Sequence, residues 1–125
     1  MNEPSGSEIA RILLECGAVE LRPDHPFRFA SGILSPIYCD NRLLLSEIEG
    51  RKRIIAGLAE KISSSGAEQI VGIATAGIAW GAWVAQALQK PFVYVRNSAK
   101  DHGKKNQVEG KVNKSFRTAL VEDLV

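Results

Sequence analysis

The sequence predicts an α/β domain with a parallel sheet and flanking helices. A strand, a helix and a second strand follow one another between Gln69 and Val95, and another apolar strand occupies Thr118–Val121. A strand–helix–strand unit makes its two strands parallel, because the helix carries the chain back along the sheet. A length of 125 residues suits a single domain. We therefore expect one α/β core.

The first predicted element is an amphipathic helix that ends at Gly17. Ser5 and Glu8 have the spacing of a capping box, which satisfies two backbone N–H groups at a helix N-terminus. Behind them, apolar residues recur at the spacing of one helical face. These residues are Ile9, Ile12, Leu13 and Cys16. We expect this face to be buried.

A small antiparallel flap and a second helix follow. Three prolines in the segment 18–42 exclude a long helix there, and short apolar runs predict strands joined by turns. Ser46 and Glu49 repeat the capping-box spacing, and the helix that they begin closes at Gly66. A flap that precedes a helical and sheet core is therefore expected.

These elements divide the single domain, 1–125, into a helix and flap at 1–45 and the first part of the α/β core at 46–125. The core contains an uncharged stretch, 69–89, that is long enough to span a bilayer, so a membrane hairpin is an alternative. Its many alanines and glycines make it only weakly apolar, which favours a buried strand followed by a buried helix. We expect no membrane association.

Composition excludes several classes of protein. The formal net charge of +2 is too small for a protein that coats nucleic acid, because such binding needs many cations. Positive charge is concentrated between Arg96 and Arg117, and the polar composition of Asn97–Glu109 predicts a mobile loop. Cys16 and Cys39 form no CxxC pair, and no secretory signal precedes the first helix. We expect a cytoplasmic protein that binds no nucleic acid.

Three groups of chemically active residues follow predicted strands. The small-residue turn Thr75–Gly77 leads into a helix N-terminus, whose free N–H groups bind anions. Cations follow the next strand and two carboxylates follow the last, namely Arg96, Lys100 and His102, then Glu122 and Asp123. Each group alone is also compatible with an ordinary turn or solvated loop, but ligands of parallel sheets bind beyond the carboxyl ends of strands. Together they predict a substrate with phosphates and sugar hydroxyls, accompanied by Mg²⁺.

Two motifs make this sequence resemble the orotate phosphoribosyltransferases, a family with the type I phosphoribosyltransferase fold. One runs from Arg96 through Lys-Asp-His-Gly at 100–103 to Gly110 and then the strand 119–125. The other is the flap segment 29–41, which contains Ser-Gly-Ile-Leu-Ser-Pro. The resemblance implies transfer of ribose 5-phosphate from phosphoribosyl pyrophosphate (PRPP) to orotate. The products are orotidine 5′-monophosphate and pyrophosphate, in pyrimidine biosynthesis.

The resemblance also implies roles for individual residues. Lys100, His102 and Asp123 are the expected catalytic residues, and Tyr38 and Cys39 are expected to contact orotate. Mg²⁺ is carried by PRPP near the carboxylates, with no direct protein ligand. PRPP contacts are expected at Arg96, Lys100, His102, Thr75, Ala76, Gly77, Glu122, Asp123, Leu124 and Val125. Because the family's mobile loop reaches into the neighbouring subunit, a homodimer with shared active sites is implied.

Departures from the family pattern qualify this resemblance. Ala30, Ala76 and Asn97 stand where some members carry lysine. Fewer cations should weaken pyrophosphate binding unless Lys104 and Lys105 compensate. The family's 5-phosphate loop and later strands have no counterpart after Val125, so the resemblance implies an incomplete domain that is inactive alone. An alternative from another class is a regulatory protein that senses PRPP on the same fold.

Overall fold

The computed structural model of the chain describes residues 2–98 and 106–124. The chain divides into two compact units. One unit is Pro4–Ile54, and the other combines Met1–Glu3 with Ile55–Val125. Within the described ranges, no helix combines the length and the apolar character that a bilayer crossing requires.

The unit Pro4–Ile54 begins with helix α1, Gly6–Glu15. Its start is as predicted, because the Ser5 hydroxyl accepts a hydrogen bond from the Glu8 N–H at 3.1 Å. The expected burial of its apolar face is wrong. None of the residues of α1 is buried, and the predicted face, including Cys16, is only half covered. The helix is therefore an amphipathic surface element.

The predicted antiparallel flap is confirmed as two short strand pairs. Strand β1, Val19–Leu21, pairs with β4, Ile37–Cys39, and strand β2, Phe27–Arg28, pairs with β3, Leu34–Ser35. Gly32 lies between β2 and β3 with a φ of +86°, a conformation that side chains with a Cβ rarely adopt. The prolines of this region thus lie between short strands, where a missing N–H costs little.

The second capping box, predicted at Ser46 and Glu49, does not form. A 3-10 helix spans Asn41–Ser46, and the Ser46 hydroxyl donates to the carbonyl of Leu43 at 3.1 Å. Helix α2, Ile48–Ser64, begins two residues later. Ser46 ends one helix and is therefore unable to cap the next, since an N-cap residue is extended and bonds forward.

The predicted parallel sheet is confirmed in the second unit. Its elements in chain order are strand β5, Gln69–Ile73, helix α3, Gly77–Leu88, strand β6, Phe92–Val95, strand β7, Val108–Glu109, and strand β8, Thr118–Val121. The strand order is β7-β6-β5-β8, and β5 is parallel to both of its neighbours. This is the α/β architecture expected from the sequence.

Strand β7 was not expected, because its residues fall in the predicted loop 97–109. Val108 and Glu109 pair antiparallel with Val95 and Tyr94 of β6. The strand is too short to show a periodic pattern in the sequence, and it forms because the edge of β6 offers unpaired backbone groups. The middle of the predicted loop, residues 99–105, lies outside the described residues.

Helix α3 packs unusually close to the sheet. A Cβ placed at Gly81 would lie 2.8 Å from the ring of Phe92 and 3.2 Å from the Cα of Gly72. Behind this contact, Ile70 and Val84 are fully buried and form the centre of the core. The glycines thus let the helix backbone approach β5, and this contact fixes the position of the helix N-terminus.

Candidate functional site

The register of the sheet brings the carboxyl ends of three strands to one edge. Ile73 at the end of β5 is level with Val95 at the end of β6, and Gly72 is level with Val121 at the end of β8. The Ala74 N–H donates to the Val95 carbonyl at 2.8 Å, which extends this alignment beyond β5. The residues that follow each strand therefore emerge along the same edge.

The turn Thr75–Gly77 lies directly against the end of β8. A Cβ at Gly77 would collide with the carbonyl oxygen of Val121, and it would lie 3.3 Å from the Cα of Glu122. Only glycine permits this approach. The structure thus brings together two predicted groups, the small-residue turn and the acidic pair.

The N-terminus of α3 has the properties of an anion site. Its capping residue is Ala76, and no side chain caps the first turn. The Ile78 N–H donates a hydrogen bond to the Thr75 carbonyl at 3.2 Å, and Thr75 is exposed to solvent. Backbone N–H groups that no side chain caps, at the positive end of a helix dipole, favour a negatively charged group at this edge.

Glu122 and Asp123 lie at the end of β8, and both are half-buried. The Asp123 N–H donates to the Glu122 carboxylate at 2.9 Å. Two adjacent carboxylates repel each other, and binding of hydroxyl groups or a cation relieves this repulsion. Among the described residues no group of three or more His, Cys, Asp or Glu gathers in a metal-binding arrangement. Two carboxylates nevertheless suit Mg²⁺ that brings phosphate ligands of its own.

Arg96 follows β6 at this edge, as predicted, but its side chain already has a partner. The guanidinium Nη1 lies 3.4 Å from Glu109 Oε1, while the backbone N–H of Arg96 donates to the backbone carbonyl of Gln107 at 2.7 Å. Glu109 reaches Arg96 because β7 pairs with β6. In the sequence Glu109 was predicted only as the end of a loop, so this ion pair was missed.

The two flap residues predicted to contact orotate lie in the other unit, on β4. The ring of Tyr38 is exposed and lies 5.3 Å from the ring of Phe27. The thiol of Cys39 is half-buried and lies 3.2 Å from the Asn41 side-chain oxygen. Successive side chains of a strand point to opposite faces. One flat ligand on this strand would therefore meet the side chain of Tyr38 or that of Cys39, but not both.

Three of the other predicted site residues, Lys100, His102 and Val125, lie outside the described residues. Leu124 is described, and 61% of its surface is exposed. Among the described residues, the turn, Arg96 and the acidic pair are thus the predicted groups that share one edge.

No family model matches the chain. Individual relatives do. Orotate phosphoribosyltransferase from Bacillus mycoides is 55% identical over 120 residues, which is 94% of this chain.

The chain is a homologue of the orotate phosphoribosyltransferases. It spans 57% of the length of this curated relative. The solved orotate phosphoribosyltransferase from Aeropyrum pernix is 35% identical, with a TM-score of 0.67 over 85% of this chain and 59% of that one. The UMP synthase of Leishmania donovani, 24% identical, has the same fold, with a TM-score of 0.71 over 94% of this chain and 25% of that one.

These relatives confirm two expectations from the sequence. The fold is that of the type I phosphoribosyltransferases, and the resemblance to the orotate family holds along nearly the whole chain. Homology and geometry also agree on one point, because the strand 119–125 that helped to carry the resemblance ends in the acidic pair, which meets the turn Thr75–Gly77 at the sheet edge. The roles of individual residues remain proposals.

Proposed function

We propose that this chain is part of an orotate phosphoribosyltransferase that forms orotidine 5′-monophosphate from PRPP and orotate in pyrimidine biosynthesis. The observation that supports this most strongly is the meeting of an anion-binding turn and a carboxylate pair at one sheet edge. That meeting occurs in a chain 55% identical to a relative of this name. PRPP carries both phosphates and ribose hydroxyls, so it suits both halves of the edge.

The cationic half would bind pyrophosphate. The backbone N–H groups of Thr75–Gly77 and the guanidinium of Arg96 are the donors that follow strands at this edge, and both suit phosphate oxygens. Lys100 and His102 complete this set by family resemblance. As the bond from ribose C1 to the pyrophosphate oxygen breaks, negative charge grows on the leaving group. Lys100 would stabilise that charge.

The acidic half would hold the ribose. Glu122 and Asp123 accept hydrogen bonds from the 2- and 3-hydroxyls, and their negative charge favours the cationic ring of an oxocarbenium-like transition state. Mg²⁺ carried by PRPP would neutralise charge between phosphates and carboxylates. Leu124 and Val125 would contact PRPP through their backbone. The reaction thus needs both halves at the same edge.

The flap would contact the pyrimidine. Tyr38 supplies an exposed ring, and a flat base stacks on such a ring with offset geometry. Cys39 lies on the opposite face of the strand, so its contact with orotate would be through the backbone. We also propose a cytoplasmic homodimer with shared sites, as the family resemblance implies.

The test uses a chain extended to the length of its relatives, assayed with PRPP, orotate and Mg²⁺. We expect orotidine 5′-monophosphate and pyrophosphate to form reversibly. Turnover of hypoxanthine, guanine or uracil, with orotate ignored, would contradict the assignment. Binding of PRPP with no turnover of any base would favour the regulatory protein instead.

Two variants of the extended protein test its residue roles. Lys100→Ala should lower kcat by about a hundredfold, or about 2.7 kcal/mol of transition-state stabilisation. Mixing it with Asp123→Asn should restore part of the activity if two subunits share each site. No recovery in the mixture would show self-contained subunits.

A further inference from the structure

Arg96, the phosphate ligand of the proposed function, is paired with a carboxylate of its own chain. Its Nη1 lies 3.4 Å from Glu109 Oε1, and β7 keeps Glu109 next to the end of β6. Glu109 therefore occupies the guanidinium that a pyrophosphate group would bind. An acid beside a phosphate-binding arginine requires an explanation, because it lowers the positive potential of the site.

This ion pair is weak by its geometry. A charge-assisted N–H···O bond is typically about 2.7–2.9 Å long and is strongest when two nitrogens take part. Here one nitrogen participates at 3.4 Å, and 38% of the Arg96 side chain and 27% of the Glu109 side chain are exposed. A single long contact between partly exposed side chains contributes little stability. The pair is therefore not needed to hold the sheet together.

A phosphate group is the better partner for the same guanidinium. It offers two oxygens to the planar fork of donors, and pyrophosphate carries more negative charge than one carboxylate. The exchange of Glu109 for phosphate is thus favourable. The free energy of phosphate binding is smaller than it would be without Glu109, because the existing ion pair must first be broken. After the exchange Glu109 still lies nearby and repels the bound anion.

We propose that Glu109 is the resting counter-ion of Arg96 and competes with pyrophosphate for it. The inference depends on the proposed function, because it assumes that Arg96 binds the leaving group. Its consequence is that Glu109 sets how tightly pyrophosphate is held. It takes Arg96 back as pyrophosphate departs, and this favours release, the step that limits turnover in many enzymes.

The test is a titration of the 125-residue chain and its variants with inorganic pyrophosphate, followed by NMR so that weak binding is measurable. Glu109→Gln should lower the Kd by about threefold to tenfold. Arg96→Gln should raise it by about tenfold, and adding Glu109→Gln to Arg96→Gln should lower it by less than about twofold, because only the general repulsion of the anion is then left to remove. This double-mutant cycle isolates the direct pair from general repulsion.

The control variant is Glu60→Gln, which removes one negative charge from an exposed position on α2. It should change the Kd less than twofold, and the gain from Glu109→Gln should shrink in high salt. An unchanged or raised Kd in Glu109→Gln would overturn the inference, as would the same gain in the Arg96→Gln background or no measurable pyrophosphate binding. An unchanged Kd in Arg96→Gln would instead remove Arg96 from the proposed phosphate site. Orotate turnover by the extended protein tests the function separately.

Discussion

The amino ends and the carboxyl ends of strands β5 and β8 differ in the polar groups that they present. At the amino ends, Gln69 is 2% exposed, and its amide donates to the Asn113 carbonyl at 2.9 Å and to the Thr118 hydroxyl at 2.7 Å. Asn113 donates back to Gln69 at 3.2 Å. At the carboxyl ends, a turn without a side-chain cap lies against the backbone of β8 where it leads into two adjacent acidic residues, Glu122 and Asp123. One end consists of satisfied polar groups, and the other presents charges and donors.

This difference separates stability from binding within one sheet. A buried amide whose hydrogen bonds are all made to its own chain fixes the sheet and offers nothing to a ligand. At the carboxyl ends, two adjacent carboxylates repel each other and backbone N–H groups lack a side-chain cap. A ligand that binds there relieves the repulsion and accepts hydrogen bonds from the N–H groups. Variants at the amino ends should therefore change folding alone, whereas variants of the acidic pair should change function alone. Gly77 is the exception, because it has a packing role and a site role.

The largest effect is expected from Gly77→Val. The new side chain would collide with the Val121 carbonyl, and the backbone of β8 is unable to move without breaking its ladder with β5. We expect a loss of about 3 kcal/mol in the free energy of unfolding, measured in urea. Gly6→Ala is the control, since nothing lies within 4 Å of a Cβ there. An equal loss in both variants would contradict the close approach of α3 to β8.

The next effect is on catalysis. Asp123→Asn in the extended protein removes a charged acceptor for the ribose hydroxyls, and kcat/KM should fall about a hundredfold, or about 2.7 kcal/mol. The free energy of unfolding should change by less than about 0.5 kcal/mol. Calorimetry and steady-state rates check the two quantities on one sample. If stability fell together with activity, the result would contradict the statement that variants of the acidic pair change function alone.

A smaller effect is expected at the amino ends. Gln69→Leu leaves groups of Asn113 and Thr118 without their partner, and because both of these residues are exposed, water replaces part of the loss and the cost should be about 1 kcal/mol of unfolding free energy. Pyrophosphate affinity should not change. The matched control is Gln86→Leu on the exposed part of α3, which should cost almost nothing. A Gln69→Leu chain that folds stably but binds pyrophosphate less tightly would break the comparison.

The smallest effect is expected in the unit Pro4–Ile54, outside the sheet. It concerns how the stability of the folded chain depends on pH. Hydrogen bonds from Arg53 to Glu8, 2.6 and 2.9 Å long, lower the pKa of that carboxyl below 4.5. The pair therefore stabilises the folded chain above pH 4.5, and this contribution is lost as the pH falls through the lowered pKa. Glu8→Gln should lower the melting temperature slightly at pH 7, and the difference between the two proteins should shrink as the pH falls below 4.5. A difference that stays constant with falling pH would contradict the pairing.

The sequence predicted the elements whose signals are local. The change from a strand pattern at 69–74 to a helical one at 78–88 marked the βαβ unit, and Ser5 with Glu8 marked the start of α1. The same spacing failed at Ser46, because a 3-10 helix formed ahead of it. The capping-box spacing thus predicts a cap correctly only where the candidate cap residue is not already part of a preceding helix.

The interactions that the sequence could not reveal are long-range. Gln69 and Asn113 lie 44 positions apart, and no periodicity links them. Glu109 meets Arg96 only because two residues of β7 pair with the edge of β6. The sequence marks β7 only by Val108 and Glu109, which stand directly before Gly110. Gly110 has a φ of +106° and ends the strand. By contrast, the turn at 75–77 and the acidic pair were predictable together, since parallel strands bring their carboxyl ends to one edge.

The central claim is that ligands bind at the carboxyl ends of the sheet and not at the amino ends. The most direct test is a series of ¹H–¹⁵N spectra of the chain during titration with PRPP and Mg²⁺. The largest chemical-shift changes should fall at the turn and the acidic pair, and the amide signals of the amino ends should not shift. Largest shifts at Gln69, Asn113 and Thr118, or shifts spread evenly over both ends, would contradict this claim. The amides expected to move are those of Thr75, Ala76, Gly77, Arg96, Glu122 and Asp123.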